Sequence, residues 1–286
     1  MIIRLFGATT PTGETLLDML EKEFENIYCY SRTRKYIYLD LKEANIKFGN
    51  DINEKEIWIN LAPIWLFASF IDKLREEVGQ NSSKITGIIT CSSSSVITKQ
   101  FSWHKYDKDL VKTLKSSEVI LHDICTKFNI YISIIRPTMI YGNSNNYQDK
   151  NISLIKKVCS LLPIIIFPNS SGLRQPISIK QLAKIIYQQL IKIKNKKYTE
   201  NLDLITIGGD QTLSYFKLIK LIIKKNNLSC NIITIPNNVF FFILSPLLLI
   251  NSKLYSELIR IESNLSGFKK SSEILSSKEE SIFDNL

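Results

Sequence analysis

Gly7-Ala8-Thr9-Thr10-Pro11-Thr12-Gly13 decides the fold. It follows the apolar run 2–5 and opens a stretch, 13–23, that sets Leu16, Leu17, Met19 and Leu20 on one helical side. A tight strand-to-helix turn made of small residues lets the backbone approach a pyrophosphate. The helix N-terminus adds free N–H groups and a partial positive charge. Thr10 stands where a middle glycine is usual, and Pro11 beside it carries no N–H to offer. A turn of this kind also occurs without any ligand. Its place in the opening βα unit, at the very start of the sequence, favours a dinucleotide.

Outward from the loop, short apolar runs alternate with helical ones. Strands are expected at 26–31, 36–40, 56–62, 85–91, 130–136 and 202–208, and helices at 65–78, 107–128, 150–162, 178–193 and 213–225. Alternation of this sort predicts an α/β protein, a Rossmann-type doubly wound parallel sheet with right-handed crossovers and a smaller C-terminal substrate lobe. The dinucleotide-binding domain is expected over 1–165, with elements around 173–190 and 202–208 returning to it. Residues 166–286 mainly build the lobe. The polar end, SSEILSSKEESIFDNL, is expected to be loosely held.

The end of the second strand tests the cofactor type. An acid there would bind a ribose 2′-OH, but IYCYSRTRK offers Arg32 with Arg34 or Lys35 instead. Guanidinium and ammonium groups suit a 2′-phosphate, so NADP is expected, with NAD as the alternative. A merely solvated basic turn would look the same.

Composition is globular: 286 residues, 44% hydrophobic, 22% charged, net charge +10. The charge suits anionic partners in general. No zinc-finger, helix-turn-helix or RNP pattern accompanies it, and no nucleic-acid role is expected. Five scattered cysteines without a CxxC point to a reducing compartment, the cytoplasm. Two histidines, His104 and His122, are too few and too isolated for a metal site. The apolar run 239–250, VFFFILSPLLLI, is interrupted by Ser245 and Pro246 and is too short to span a bilayer. A buried helix or hairpin is expected there, rather than membrane contact.

Several motifs in one order carry a resemblance. Gly7 to Gly13, Asp40-Leu41, Asn60-Leu61-Ala62, IITCSSSSV (88–96), IIRPTMIYG (134–142), LRQPISIKQLA (173–183) and LDLITIGGDQTLSYFKLIKLI run in sequence. Over residues 1 to about 225 the chain resembles the extended short-chain dehydrogenase/reductases, the NAD-dependent epimerase/dehydratase family acting on nucleotide sugars. It is similar to a bacterial subgroup encoded with surface-polysaccharide genes. The resemblance implies that Gly7, Thr9, Thr10, Pro11, Thr12, Gly13, Arg32, Asp40, Leu41, Leu61, Ala62, Arg136 and Pro137 meet the cofactor. It implies that Tyr141 and Arg174 meet the substrate, Arg174 at its diphosphate. Relatives pair through two helices into a four-helix contact, which makes 107–128 the candidate surface of a homodimer.

Catalysis in that family uses a Tyr and a Lys four residues apart on one helix. The Lys charge lowers the phenol pKa so that the Tyr can relay a proton while hydride moves. Tyr106 has Leu110 four residues on. If Glu118 is the acid that follows the Lys, Leu114 fills the Lys position and Leu110 the Tyr position. Neither register holds the pair. Ser93, Ser94 and Tyr106 remain as the candidate catalytic hydroxyls. The expected function is NAD(P)-dependent epimerisation, dehydration or reduction of a nucleotide sugar by hydride transfer. The alternative is a non-catalytic NAD(P)-binding sensor or scaffold subunit.

Overall fold

The computed structural model describes residues 1–33, 35–43, 46 and 54–282. Arg34, offered above for a 2′-phosphate, lies outside the described residues. The strands of the first half are β1 (Ile2–Phe6), β2 (Asn26–Ser31), β3 (Ile37–Tyr38), β4 (Glu56–Asn60), β5 (Ile85–Cys91), β6 (Tyr131–Pro137) and β7 (Ile140–Tyr141). Those of the second half are β8 (Ile164–Pro168), β9 (Leu173–Arg174), β10 (Ile177–Ser178), β11 (Leu202–Gly208), β12 (Leu213–Ser214), β13 (Asn231–Ile235) and β14 (Lys269–Lys270). Helices α1 (Pro11–Leu20), α2 (Ile64–Lys73), α3 (Arg75–Gln80), α4 (Ser95–Thr98), α5 (Lys105–Lys127) and α6 (Asn151–Leu161) lie between the earlier strands. They are followed by α7 (Ile179–Lys194), α8 (Tyr215–Lys225), α9 (Asn237–Leu244), α10 (Leu247–Ile250), α11 (Ser252–Ile259) and α12 (Ser271–Leu275).

Eight strands form one sheet in the order β14-β11-β6-β5-β4-β1-β2-β3, and every pairing in it is parallel. The chain winds one way from β1 through β2 to β3, then returns to the other side of β1 with β4. The strand order therefore reverses between β1 and β4, the crevice where open α/β sheets bind ligands.

Strands β1 and β4 are buried along their whole length, as strands covered by helices on both faces must be. On one face α1 and α7 close a core around Leu5, Leu16, Ile57, Ile186 and Leu190. A capping box starts α7: Gln181 N–H donates to the Ser178 hydroxyl, and Ser178 N–H to the Gln181 side-chain Oε1. On the other face α2 and α5 close a core around Phe6, Trp58, Phe67, Phe70 and Leu121. Each such side chain contributes about 1.5–3 kcal/mol on burial. The helix expected over 65–78 breaks at Leu74 into α2 and α3.

One charged pair sits inside the sheet. Arg4 Nε donates to Glu56 Oε2 at 2.7 Å and Nη2 to Oε1 at 2.9 Å. Trp58 Nε1 also donates to Glu56 (2.8 Å), and Arg4 Nη1 to the Tyr30 hydroxyl (2.5 Å). Burial alone would lower the Arg4 pKa, but the Glu56 carboxylate holds it above its ordinary value.

In the second half, the two-stranded parallel pair β8–β13 packs with α6, α8 and α9 around Phe167, Ile219, Phe240 and Ile261. Two expectations need correction here. The run 239–250 is not buried: Phe240 is, but Phe242 is 79% and Leu249 91% exposed. Its inner side packs against the lobe core through Phe240, Phe241 and Leu244, while Phe242, Ile243, Leu249 and Ile250 stay exposed. Residues 271–282 of the C-terminal segment are not loosely held either. The buried Asp210 carboxylate accepts hydrogen bonds from the Ser271 hydroxyl and from the Ser272 and Glu280 N–H groups, and Ile282 is buried. Among the described residues no helix is long and apolar enough to cross a membrane.

Candidate functional site

The turn out of β1 is fixed by its own residues. Gly7 has φ +81°, and a Cβ there would stand 2.6 Å from Ala62 N and 2.8 Å from the Leu61 carbonyl carbon. Gly13 packs as closely on the Gly7 carbonyl, where a Cβ would come within 2.6 Å. Thr10, in place of a glycine, is the N-cap of α1. Its hydroxyl accepts from Gly13 N–H and donates to Gly7 O, both at 3.0 Å. Pro11 occupies the first helical position, where a missing N–H leaves the helix ladder intact. The facing loop is fixed by Asn60, whose amide oxygen accepts from Ala62 N–H and whose NH2 donates to Ala62 O and the Thr90 hydroxyl.

Above these strand ends lies a cleft of about 850 Å³, in the range of small-molecule and cofactor sites, about 300–1,000 Å³. Gly7, Thr9, Thr10 and Pro11 line one end. Arg32, Asp40 and Leu41 line the side beyond β2, with Leu61 and Ala62 between. Ser93 and Pro137 line the far end. Thr12, Gly13 and Arg136 do not reach it. Thr12 is buried and Gly13 packs on Gly7. Arg136 turns to Glu118, which accepts from its Nε at 2.9 Å and from its Nη2, and also from the Ser92 hydroxyl at 2.5 Å. Its role is that of a structural ion pair.

A strap from Gly142 to Lys150 borders the cleft, with Asn146, Tyr147, Gln148 and Lys150 on its wall. Glu14, in the first turn of α1, holds it. Its carboxylate accepts from the Asn146 N–H at 2.9 Å and from the Asn146 side-chain NH2. Burial alone would raise the Glu14 pKa, but hydrogen bonds from Ser144 and Asn146 and the charge of Lys35 lower it to about 2.

A second chamber of about 450 Å³ adjoins the first, and Ser93 and Ile140 line both. It is rich in hydroxyls, with Ser94, Ser95, Thr98 and Thr138, and holds Lys99 and Arg260. Both cations bind the buried Asp107, at 3.1 and 2.8 Å. Burial would raise Asp107, but its bonds to Lys99, Arg260 and Ser102 take it below the ordinary carboxylate range. Arg174 also lines this chamber, but its Nη1 and Nη2 donate to the carbonyls of Leu173, Ser263 and Arg260. The expected fork toward a diphosphate is already engaged with backbone. Burial lowers its pKa.

Two further expectations are displaced. Tyr141 is 1% exposed, packs with Ile152, Leu218 and Ile222, and donates to Ile282 O; it faces the lobe core, away from both cavities. Tyr106 sits on the first turn of α5, 45% exposed and off the cleft wall. Leu110 and Leu114 of the same helix do line the cleft. Sequence reasoning missed the strap and the Lys99–Asp107–Arg260 cluster. Nothing in the sequence joins residues so far apart.

No protein-family model and no curated protein sequence matches the chain. Solved structures do. The fold matches a UDP-galactose 4-epimerase with TM-score 0.67, at 9% identity over 98% of this chain and 94% of that one. It matches MoeE5 in complex with UDP-glucose and NAD with TM-score 0.65, at 13% identity over 100% and 96%. It also matches a GDP-mannoheptose C4 reductase from Campylobacter jejuni with NADP bound, TM-score 0.65, at 11% identity over 99% and 95%.

Proposed function

Since the chain has the fold seen in these nucleotide-sugar epimerases and reductases, we propose that it binds a nicotinamide dinucleotide in the large cleft and a nucleotide sugar in the adjoining chamber. The reaction proposed is hydride transfer at a sugar carbon, as in an epimerase, dehydratase or reductase. The single observation that carries this is the pair of cavities meeting at Ser93, placed at the strand-order reversal between β1 and β4.

The residues present fit the cofactor. The Gly7–Thr10 turn and the α1 N-terminus receive the pyrophosphate, and Arg32 receives a 2′-phosphate, which favours NADP over NAD. Asp40 and Leu41 flank the adenine, and Pro137 borders the nicotinamide end. When bound, the nicotinamide supplies or accepts the hydride. Ser93 Oγ, on the wall of both cavities, holds the proton at the reacting oxygen. Ser94 and the other hydroxyls of the chamber orient the sugar. The unpaired cysteines support a cytoplasmic setting, and α5 is the proposed surface of a homodimer.

A second reading, binding without turnover as a sensor or scaffold subunit, is favoured by Leu110 and Leu114. Aliphatic side chains four residues apart on the cleft wall can neither hold nor relay a proton. One experiment separates the readings. The protein is tested by thermal shift with NADPH and NADH, then incubated with a panel of UDP-, GDP- and TDP-sugars while cofactor absorbance and sugar isomers are followed. Cofactor binding with conversion that falls in Ser93→Ala supports the enzyme. Cofactor binding without conversion supports the sensor. Failure to bind either cofactor overturns both.

A further inference from the structure

We propose that Glu14 is a positioning residue that latches the Gly142–Lys150 strap to α1 and so sets how fast the dinucleotide enters and leaves the cleft. A role toward the dinucleotide rests on the function proposed above for that cleft. The two feet of the strap are pinned together. The buried Asp149 carboxylate accepts from the Gly142 N–H at 3.4 Å and from the Ile152 N–H, in the first turn of α6, at 2.7 Å. Gly142 has φ +112°, a conformation that suits glycine. The tip closes on itself, with Ser144 N–H donating to the Tyr147 carbonyl at 2.9 Å. Among the described residues, every hydrogen bond from 143–148 to another element ends on Glu14.

Glu14 is 6% exposed and stands off the cleft wall, so it acts through what it holds. It joins two lining segments: Thr9 to Pro11, just ahead of it in the chain, and Asn146 to Gln148 of the strap. Its partners are all donors. They are the Asn146 N–H at 2.9 Å, the Asn146 NH2, Ser144 and the Lys35 ammonium at 3.5 Å. An ionised carboxylate is acceptor-only and satisfies them, whereas a glutamine amide would set its own NH2 against them. Lys35 adds a contact at the rim, 6.0 Å from the centroid of the Tyr147 ring. With the Glu14 pKa lowered to about 2, the latch is insensitive to pH anywhere near neutrality.

With its feet fixed and its tip held at one carboxylate, the strap has one way to open. A dinucleotide lying against both lining segments leaves when the tip lifts, and the tip lifts when Glu14 lets go. Entry passes through the same step. A latch therefore slows both directions, whereas an ordinary wall contact slows exit alone.

The test is stopped-flow binding of NADPH and of NADH to the full chain. Glu14→Gln keeps the side chain's size and is expected to raise both the association and the dissociation rate about 10–100-fold, the range of one charged hydrogen bond, with Kd moving far less. Asn146→Ala, at an exposed position outside the core, is expected to act in the same direction even if the α1 variant folds poorly. Glu14→Gln combined with Asn146→Asp exchanges donor for acceptor and is expected to slow both rates again. Hydrogen exchange on the cofactor-free proteins reads the latch directly: amides of 143–148 should exchange faster in Glu14→Gln while the sheet stays protected. Unchanged rates, or unchanged exchange at 143–148, overturn the latch. So does faster dissociation with association unaltered, which marks a lost contact. If the wild-type chain binds neither NADPH nor NADH, the proposed function itself fails and this role goes with it.

Discussion

Gly7→Ala tests the base of the site. At φ +81° an alanine enters the left-handed region, at a cost of about 1–2 kcal/mol. Its methyl would also stand 2.6 Å from Ala62 N and 2.8 Å from the Leu61 carbonyl carbon. Both are backbone atoms, and Asn60 fixes that backbone with bonds to Ala62 N–H and Ala62 O. The loop therefore has to shift as a unit, and forced overpacking of this kind costs about 1–3 kcal/mol. The sum is roughly 2–5 kcal/mol, and at about 2–4 °C per kcal/mol for a chain of this size the melting temperature should fall by roughly 4–20 °C. Leu61 and Ala62 are cleft wall, so their displacement should weaken NADPH at least tenfold. Thermal unfolding with and without NADPH, together with calorimetric titration, measures both effects. A variant with unchanged melting temperature and unchanged NADPH affinity would refute the steric reasoning and, with it, the assignment of the turn to the pyrophosphate.

Glu56→Gln leaves the buried Arg4 charge uncompensated and should cost about 3–5 kcal/mol, read by urea unfolding; Arg4→Met with Glu56→Leu leaves no lone buried charge and should cost less, the remaining loss being the bonds to Trp58 Nε1 and the Tyr30 hydroxyl. Arg32→Glu removes the one described cation at the ribose end of β2 on the cleft wall and should weaken NADPH about 10–100-fold, from the ~1.5–3 kcal/mol of a charged hydrogen bond. NADH binding should change much less, and an equal loss of both would show that Arg32 does not read the phosphate. Burial would raise Asp210, but the N–H groups of Glu280 and Ser272 and the Ser271 hydroxyl hold its pKa below the ordinary value. Its contribution is therefore complete above a pH of about 4 and is lost as the pH falls through the lowered value. Asp210→Asn should remove that acid limb from the pH dependence of stability and make residues 271–282 exchange amide hydrogens faster.

The sheet was legible because its strands are short apolar runs between glycine turns and helical stretches, and the Gly7 and Gly13 positions are needed by the turn itself. Leu110 and Leu114 stand four residues apart, so helical spacing alone puts them on one face of α5. What could not be read is nonlocal. Nothing in LRQP says that Arg174 will meet carbonyls of Arg260 and Ser263, and Tyr141 looks no different whether it faces a ligand or Ile282. β14 is two lysines, with no periodicity to mark a strand. The exposure of Phe242 and Leu249 depends on which face of an all-apolar helix the lobe takes, and an unbroken apolar run does not encode a face.

The eighth strand has a consequence for biosynthesis. β11 gains its outer neighbour only through Ile207 beside Lys269 and Gly208 beside Lys270. At ~5–20 residues/s a ribosome needs roughly 3–12 s to make the chain between them. For that interval the nascent protein carries an open strand edge, the feature most prone to mispairing with another polypeptide. A chaperone that shields this edge, or slow codons placed after it, would therefore alter yield without touching the finished molecule.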